Sequence, residues 1–297
     1  MITFLFSAFL ISLIVLKIVG AFLDQRIDDK IETSVLFNSN GVLLGSEPIS
    51  SVSQKETAVI FVHGFMDSPQ VFDEIINCLS WQQADYFVPL LPFHGRGVHE
   101  MKDFEPSVVE QYISAYIEEK SRAYKKLILV GQSLGSASLI RISEIHRWSP
   151  SKIHLILMAP SVFLYTGRWY YLLAYNFYLF FRVYWRKFQK KDENIRSYRL
   201  VLETAVAYYA ISAVKRLQQY CHGTEKILRQ MTFPHTVLIA KDDNRVHVRR
   251  LHHACQKPQC RFILLEKGQH VLYHGEPVVQ IARCIENVIE NKILIND

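Results

Sequence analysis

The chain has 297 residues, of which 49% are hydrophobic and 21% charged, a balance that excludes intrinsic disorder and is enough to bury a full α/β core with an insertion. Its formal net charge of +6 is modest. Basic residues thicken only over 182–191 and 245–250, where they could face phosphate, anionic headgroups or plain water, and no nucleic-acid partner is expected. Five cysteines, Cys78, Cys221, Cys255, Cys260 and Cys284, show neither C-x-x-C pairs nor a spaced metal pattern and read as mostly buried thiols. Spacing alone leaves open whether Cys255 and Cys260 close a small loop.

Residues 2–23 are almost entirely Leu, Ile, Phe, Val and Ala, with Lys17 the one charge, and that length spans a bilayer as a helix. There is no basic start and no small-x-small site before Asp24, so residues 1–23 are expected to be an uncleaved anchor, with a cleaved signal peptide as the rival. The charges from Asp24 to Lys30 roughly cancel, which leaves the side of the membrane unset. Residues 34–37 and 42–45 flank Asn38-Ser39-Asn40-Gly41 and predict a hairpin that starts a sheet. Strands are then expected at 57–62, stopping at His63-Gly64-Phe65, and at 86–91, running into Phe93-His94-Gly95-Arg96-Gly97, with helices over 69–81 and 106–124. A buried strand at 126–130 leads into Gly131-Gln132-Ser133-Leu134-Gly135 and a helix over 136–148, followed by another strand at 153–159. This alternation means a doubly wound, mainly parallel sheet.

Between 161 and 233 the alternation breaks. The aromatic stretch 165–188 has a basic flank, and its uncharged part is too short for a second span. It reads equally as an interfacial lid helix or as a cap helix packed on the domain, followed by helices over 199–220 and 224–231. The sheet resumes at 235–240, ending at Lys241-Asp242-Asp243-Asn244-Arg245-Val246. A helix over 248–256, a strand at 261–265 that runs into His270, and a helix over 277–294 complete the chain. The expected domains are therefore the anchor 1–23, a core in two parts at 24–160 and 234–297, and a helical cap at 161–233.

Gly-x-Ser-x-Gly between a strand and a helix makes Ser133 a candidate nucleophile, held on a strained corner that side chains at Gly131 and Gly135 would obstruct. An acid after the next-to-last strand and His270 after the last complete the order Ser, Asp, His, each at the carboxyl end of a parallel strand, where all three can share one crevice. Asp242 and Asp243 compete for the acid. His63 and His94 read as loop braces, and His247, His252 and His253 read, with Arg249 and Arg250, as part of a surface helix.

Over about 57–294 the sequence resembles the α/β-hydrolase superfamily, and within it small-cap carboxylesterases and monoacylglycerol lipases, through the His-Gly-Phe, Phe-His-Gly-Arg-Gly, Gly-Gln-Ser-Leu-Gly, Asp-x-x-Val and His segments quoted above. The resemblance implies the α/β-hydrolase fold and favours Asp243 as the acid, leaving Asp242 to pair with Lys241 or Arg245. It also implies an oxyanion hole from the backbone N–H groups of Leu134 and Phe65, with Phe65 and Met66 at the substrate. The expected function is a membrane-associated serine hydrolase that cleaves carboxylic esters, lipid-like ones such as monoacylglycerols or medium and long acyl esters, through an acyl-enzyme on Ser133, His270 and Asp243. The alternatives are a thioesterase, amidase or acyltransferase on the same three residues, or a non-catalytic membrane-tethered binding protein. Neither cofactor nor metal is implied.

Overall fold

Four runs of residues, 57–62, 126–132, 153–158 and 235–240, are buried along nearly their whole length, as strands covered on both faces must be. The computed structural model describes residues 2–34, 37–96, 98–146, 148–165, 184–186 and 208–291. Its elements in chain order begin with α1 (Ile2–Ser34), β1 (Ile49–Ser51), β2 (Thr57–Val62), a 3-10 turn (Pro69–Phe72), α2 (Asp73–Cys78), β3 (Ala84–Val88), α3 (Val98–Lys102) and α4 (Pro106–Ala123). They continue with β4 (Lys126–Gln132), α5 (Leu134–Ile145), β5 (Ile153–Met158), β6 (Tyr184–Arg186), β7 (Tyr208–Ala210), α6 (Ile211–Gln230), β8 (His235–Ala240), α7 (Val248–Ala254), β9 (Cys260–Leu265) and α8 (Glu276–Ile289).

Seven strands make one sheet in the order β1-β3-β2-β4-β5-β8-β9. β1 pairs antiparallel with β3, and the other neighbours are parallel. This is the α/β-hydrolase fold. The chain moves outward from β2 to β3 and then returns to the other side of β2 for β4, so the strand order reverses between β2 and β4, where such sheets open a crevice at their carboxyl ends. The register brings Val62 beside Gly131 and Gln132 beside Met158, which aligns the ends of β2, β4 and β5 along that crevice.

Two compact units divide the chain. One comprises Met1–Leu44, Arg96–Phe104 and Thr166–Arg216, and the other Gly45–Gly95, Glu105–Tyr165 and Leu217–Asp297, which holds the seven-stranded sheet. In the first unit, Arg216 donates to the carbonyl oxygens of Lys102 and Phe104. Among the described residues α1 contains the one stretch, Phe6–Arg26, long and apolar enough to cross a membrane, and Phe6, Phe9, Ile11, Ile14 and Ile18 on it are exposed. In the second unit the buried carboxylate of Asp85 on β3 accepts the N–H groups of Ser53 and Lys55 and the hydroxyl of Tyr124, tying the entry to β2 against the end of α4.

Several local expectations shift. The hairpin around Asn38 is reduced to a single bridge, Phe37 to Leu43, with Asn38 Oδ1 accepting the N–H groups of Asn40 and Val42, and the sheet starts instead at Ile49. The helix expected over 69–81 is a 3-10 turn followed by the short α2. Most of the aromatic stretch 165–188 lies outside the described residues, as do residues 199–207 of the helix expected at 199–220, the rest of which falls in β7 and the start of α6. Where they are described, Tyr184–Arg186 and Tyr208–Ala210 form an antiparallel ribbon with Trp185 opposite Tyr209, since aromatic residues suit a pleated pair as well as a helix. The break expected before Thr224 is absent. α6 runs through Gly223, a cost of about 1 kcal/mol that a helix of this length absorbs, and Thr224 Oγ1 donates back to Tyr220 O at 2.8 Å.

Candidate active site

β4 ends at Gln132 and α5 begins at Leu134, so Ser133 alone turns the chain, with φ of 54° and ψ of −109°. A residue with a side chain held there costs about 1–3 kcal/mol, which the surroundings must outweigh. They do so with hydrogen bonds. Ser133 N–H donates to Met158 O at 3.0 Å, Ser161 N–H donates to Ser133 O at 3.2 Å, and Ser136 Oγ donates to Gly131 O at 2.6 Å. Close approach fixes the two glycines. A Cβ at Gly135 would lie 2.1 Å from Val62 O, and one at Gly131 would lie 2.6 Å from Ser136 N, so either would push backbone apart.

The turn aims Ser133 Oγ at His270, whose Nε2 lies 2.9 Å away. His270 sits in the loop after β9 and is placed by its own backbone, because Gln132 Nε2 donates to His270 O at 2.9 Å. Its Nδ1 lies 3.0 Å from Asp243 Oδ2. The other carboxylate oxygen of Asp243 accepts the N–H groups of Arg245 and Val246, both at 2.8 Å, which locks the side chain in the turn after β8. Asp243 is buried, and the Ser133, His270 and Asp243 side chains form one continuous chain of hydrogen bonds. Asp242 is exposed to solvent, and Lys241, one partner expected for it, pairs instead with Glu266.

Around Ser133, the N–H of Leu134 is the first of α5 and has no carbonyl of its own helix to bond, so it sits at the positive end of the helix dipole. The His63-Gly64-Phe65 corner passes close by: a Cβ on Gly64 would lie 3.3 Å from Ser133 Cβ. Phe65 and Met66 are half-buried on that corner, Met66 with φ of 62°, and the Phe65 ring packs edge-on to His94 at 6.1 Å. His63 and His94 brace loops, as their positions at strand ends suggested. His63 Nε2 accepts Leu91 N–H while its Nδ1 donates to Gly64 O, and His94 Nδ1 donates to Pro92 O.

Other contacts carried no signal in the sequence. Ser161, just past β5, places its Oγ 2.7 Å from Ser133 Oγ, and the Cys221 thiol on α6 hydrogen-bonds Ser161 in turn, while burial pushes that thiol up to about 12. Tyr273 donates to Asp67 Oδ1 at 3.1 Å and ties the His270 loop to the corner beyond Gly64. The only clue available was position, since Ser161 follows the strand beside β4.

The profile of the alpha/beta hydrolase family matches residues 59–283 of this chain. A protein of Mycoplasma genitalium provisionally named esterase/lipase 3 is 28% identical over 112 residues, covering 36% of this chain and 37% of that protein. Its counterpart in Mycoplasma pneumoniae is 24% identical over 146 residues, covering 49% and 47%, so the chain matches less than half the length of either relative. Among solved structures, one from work on two metagenome-derived lipolytic enzymes, LipS and LipT, superposes with a TM-score of 0.70 at 19% identity, covering 84% of this chain and 99% of that one. A soluble variant of the monoglyceride lipase of Saccharomyces cerevisiae, in complex with a substrate analogue, gives 0.62 at 14% identity, covering 81% and 88%. At such identities the likeness is one of fold.

Proposed function

The chain belongs to the alpha/beta hydrolase family, and from that premise we propose that it is a membrane-associated serine hydrolase that cleaves lipid-like carboxylic esters, such as monoacylglycerols or medium and long acyl esters. The observation that carries the reading is the hydrogen-bonded line from Ser133 Oγ through His270 to the buried Asp243 carboxylate. A serine hydroxyl is a weak nucleophile until a base removes its proton. His270 Nε2 takes that proton as Ser133 Oγ attacks the ester carbonyl carbon, and Asp243 holds the Nδ1–H tautomer and stabilises the imidazolium. The oxyanion is received by the N–H groups of Leu134 and Phe65, each worth about 3 kcal/mol in such sites. His270 then returns the proton to the departing alcohol. Water, deprotonated by the same imidazole, attacks the acyl-Ser133 carbonyl and releases the carboxylic acid with Ser133 restored.

The lipid preference rests on the apolar stretch Phe6–Arg26, read as a membrane anchor that would keep the protein at a surface rich in such esters, and on the half-buried apolar pair Phe65 and Met66 beside Ser133. Purified protein is expected to bind a fluorophosphonate probe covalently at Ser133 and to hydrolyse p-nitrophenyl esters, with both lost in Ser133→Ala at unchanged thermal stability. Full labelling of Ser133→Ala would remove the mechanism. Acyl chains graded by length, alongside monoacylglycerols, thioesters and amides, decide the substrate class: good turnover of short esters alone would end the lipid reading.

A further inference from the structure

Away from Ser133, three side chains distant in sequence converge at the opposite end of the sheet. His235 is the first residue of β8, Cys260 the first of β9, and Cys255 caps the C-terminus of α7. The imidazole nitrogen and both sulfurs lie within 4.8 Å of one another. His235 and Cys255 are buried and Cys260 is partly open to solvent. The pairing of His235 with Cys260 in the β8–β9 register fixes two of the three. The third is delivered by α7, whose last turn bonds Cys255 N–H to Leu251 O at 3.0 Å.

From this convergence we infer that His235, Cys255 and Cys260 form a binding site for a single borderline-soft divalent cation of the zinc class, with the fourth position open toward solvent at Cys260. Three features support it. Two thiols and an imidazole are the donors such ions select over oxygen-rich sites. His235 Nδ1 donates to Phe233 O at 2.7 Å, which fixes the tautomer that leaves Nε2 as a lone-pair donor, the arrangement in which the outer nitrogen of a ligating histidine is anchored to a carbonyl. Nε2 itself is buried and bonded to no oxygen or nitrogen; the group it meets is the Cys260 thiol, itself one of the three donors. Tetrahedral coordination at about 2.3 Å to sulfur and 2.0 Å to nitrogen sets donor atoms roughly 3.5–3.8 Å apart, so an ion would draw these groups in by no more than about an ångström. Both thiol protons leave to solvent on binding, and no electron is transferred.

Such an ion would clamp the end of α7 to the starts of β8 and β9, the supersecondary unit whose other end carries Asp243. The sequence concealed it because the three residues are spaced as neither a C-x-x-C nor a His pair. The test uses the full chain in detergent, reduced, stripped with a chelator and titrated with Co2+ alone, then with Zn2+ as competitor. One equivalent of Co2+ should develop a thiolate-to-cobalt charge-transfer band, Zn2+ should abolish it, and Zn2+ should raise the melting temperature. Cys255→Ser with Cys260→Ser, and separately His235→Gln, should each weaken binding by more than about tenfold, while Cys284→Ser leaves it intact. Should a buried-position variant fail to fold by circular dichroism, Cys260→Ala at the partly open position carries the comparison. Absence of the band in folded reduced protein, its persistence without the two thiols, or recovery of Cys255 and Cys260 only as a disulfide with no metal uptake would each overturn the site.

Discussion

Asp243 and Asp242 are adjacent and chemically identical, yet one side chain is sealed against His270 and the other faces water. The difference comes from the turn after β8: the N–H groups of Arg245 and Val246 both point at Asp243 Oδ1, leaving Oδ2 for the imidazole. An Asn at 243 would keep its carbonyl oxygen on those two N–H groups and turn its NH2 toward His270 Nδ1. That donor forces the proton to Nε2, where it faces Ser133 and blocks base action. Asp243→Asn should therefore lower kcat/KM for ester hydrolysis by a factor on the order of 10³ to 10⁴, while Asp242→Asn stays within about twofold. Steady-state kinetics with melting curves on both variants check this, and a larger loss from Asp242→Asn would exchange the roles. The sequence alone kept the two candidates level and only the family resemblance separated them, because burial, which distinguishes them in the fold, leaves no trace in a doublet of identical residues.

At the scale of elements, the loops after β2 and β3 are held by imidazoles. His63 accepts Leu91 N–H and donates to Gly64 O, so it is neutral with one tautomer fixed, and the His94 ring lies edge-on to it at 5.1 Å. Burial holds both below the ordinary histidine value, His63 well below with His94 adding to the effect, and His94 at about 4. The unfolded chain, whose histidines titrate near 6.5, takes up protons first as pH falls. The unfolded state thus binds more protons below about 6.5, and stability present above that value is lost on acidification toward 4, by up to about 1.4 kcal/mol per pH unit for each ring. Urea midpoints measured from about pH 7 down to about pH 5, above most carboxylate titrations, should fall, and a His94→Gln variant should show a shallower slope. A flat wild-type profile would remove this account. The central strands β2, β4, β5 and β8 were legible because burial on both faces writes them as continuous apolar runs. β1 was not, being three residues on a half-exposed edge. Ser161, Cys221 and Gln132 were equally hidden, since a lone serine, thiol or amide acquires its meaning only from the chain folded against it.

At the scale of the whole molecule, the sheet unit and the apolar helix answer different needs. The sheet unit has a buried core of its own, whereas Phe6–Arg26 leaves its large apolar side chains bare, an arrangement that water disfavours by about 25 cal/mol per Å². At 1.5 Å per residue, those 21 residues extend about 31 Å, close to the roughly 30 Å hydrocarbon thickness of a bilayer. Asp24 and Arg26 lie at its end, and Lys17 is the one charge before them, which a long flexible stem can carry toward the headgroups. Leu10 and Ile14 lie one helical turn apart near the middle, both exposed. Replacing them together, Leu10→Arg with Ile14→Arg, should cost about 5–7 kcal/mol of insertion on the biological scale, enough to move the protein from the carbonate-resistant membrane fraction to the extractable one. Intact mass of the membrane-bound wild-type chain separates the two readings of the helix: retention of residues 1–26 marks an anchor, and their loss marks a cleaved leader. If the double variant stayed as firmly in the membrane as the wild type, the segment would have no part in holding it there, and the lipid preference argued from it would lose its physical ground.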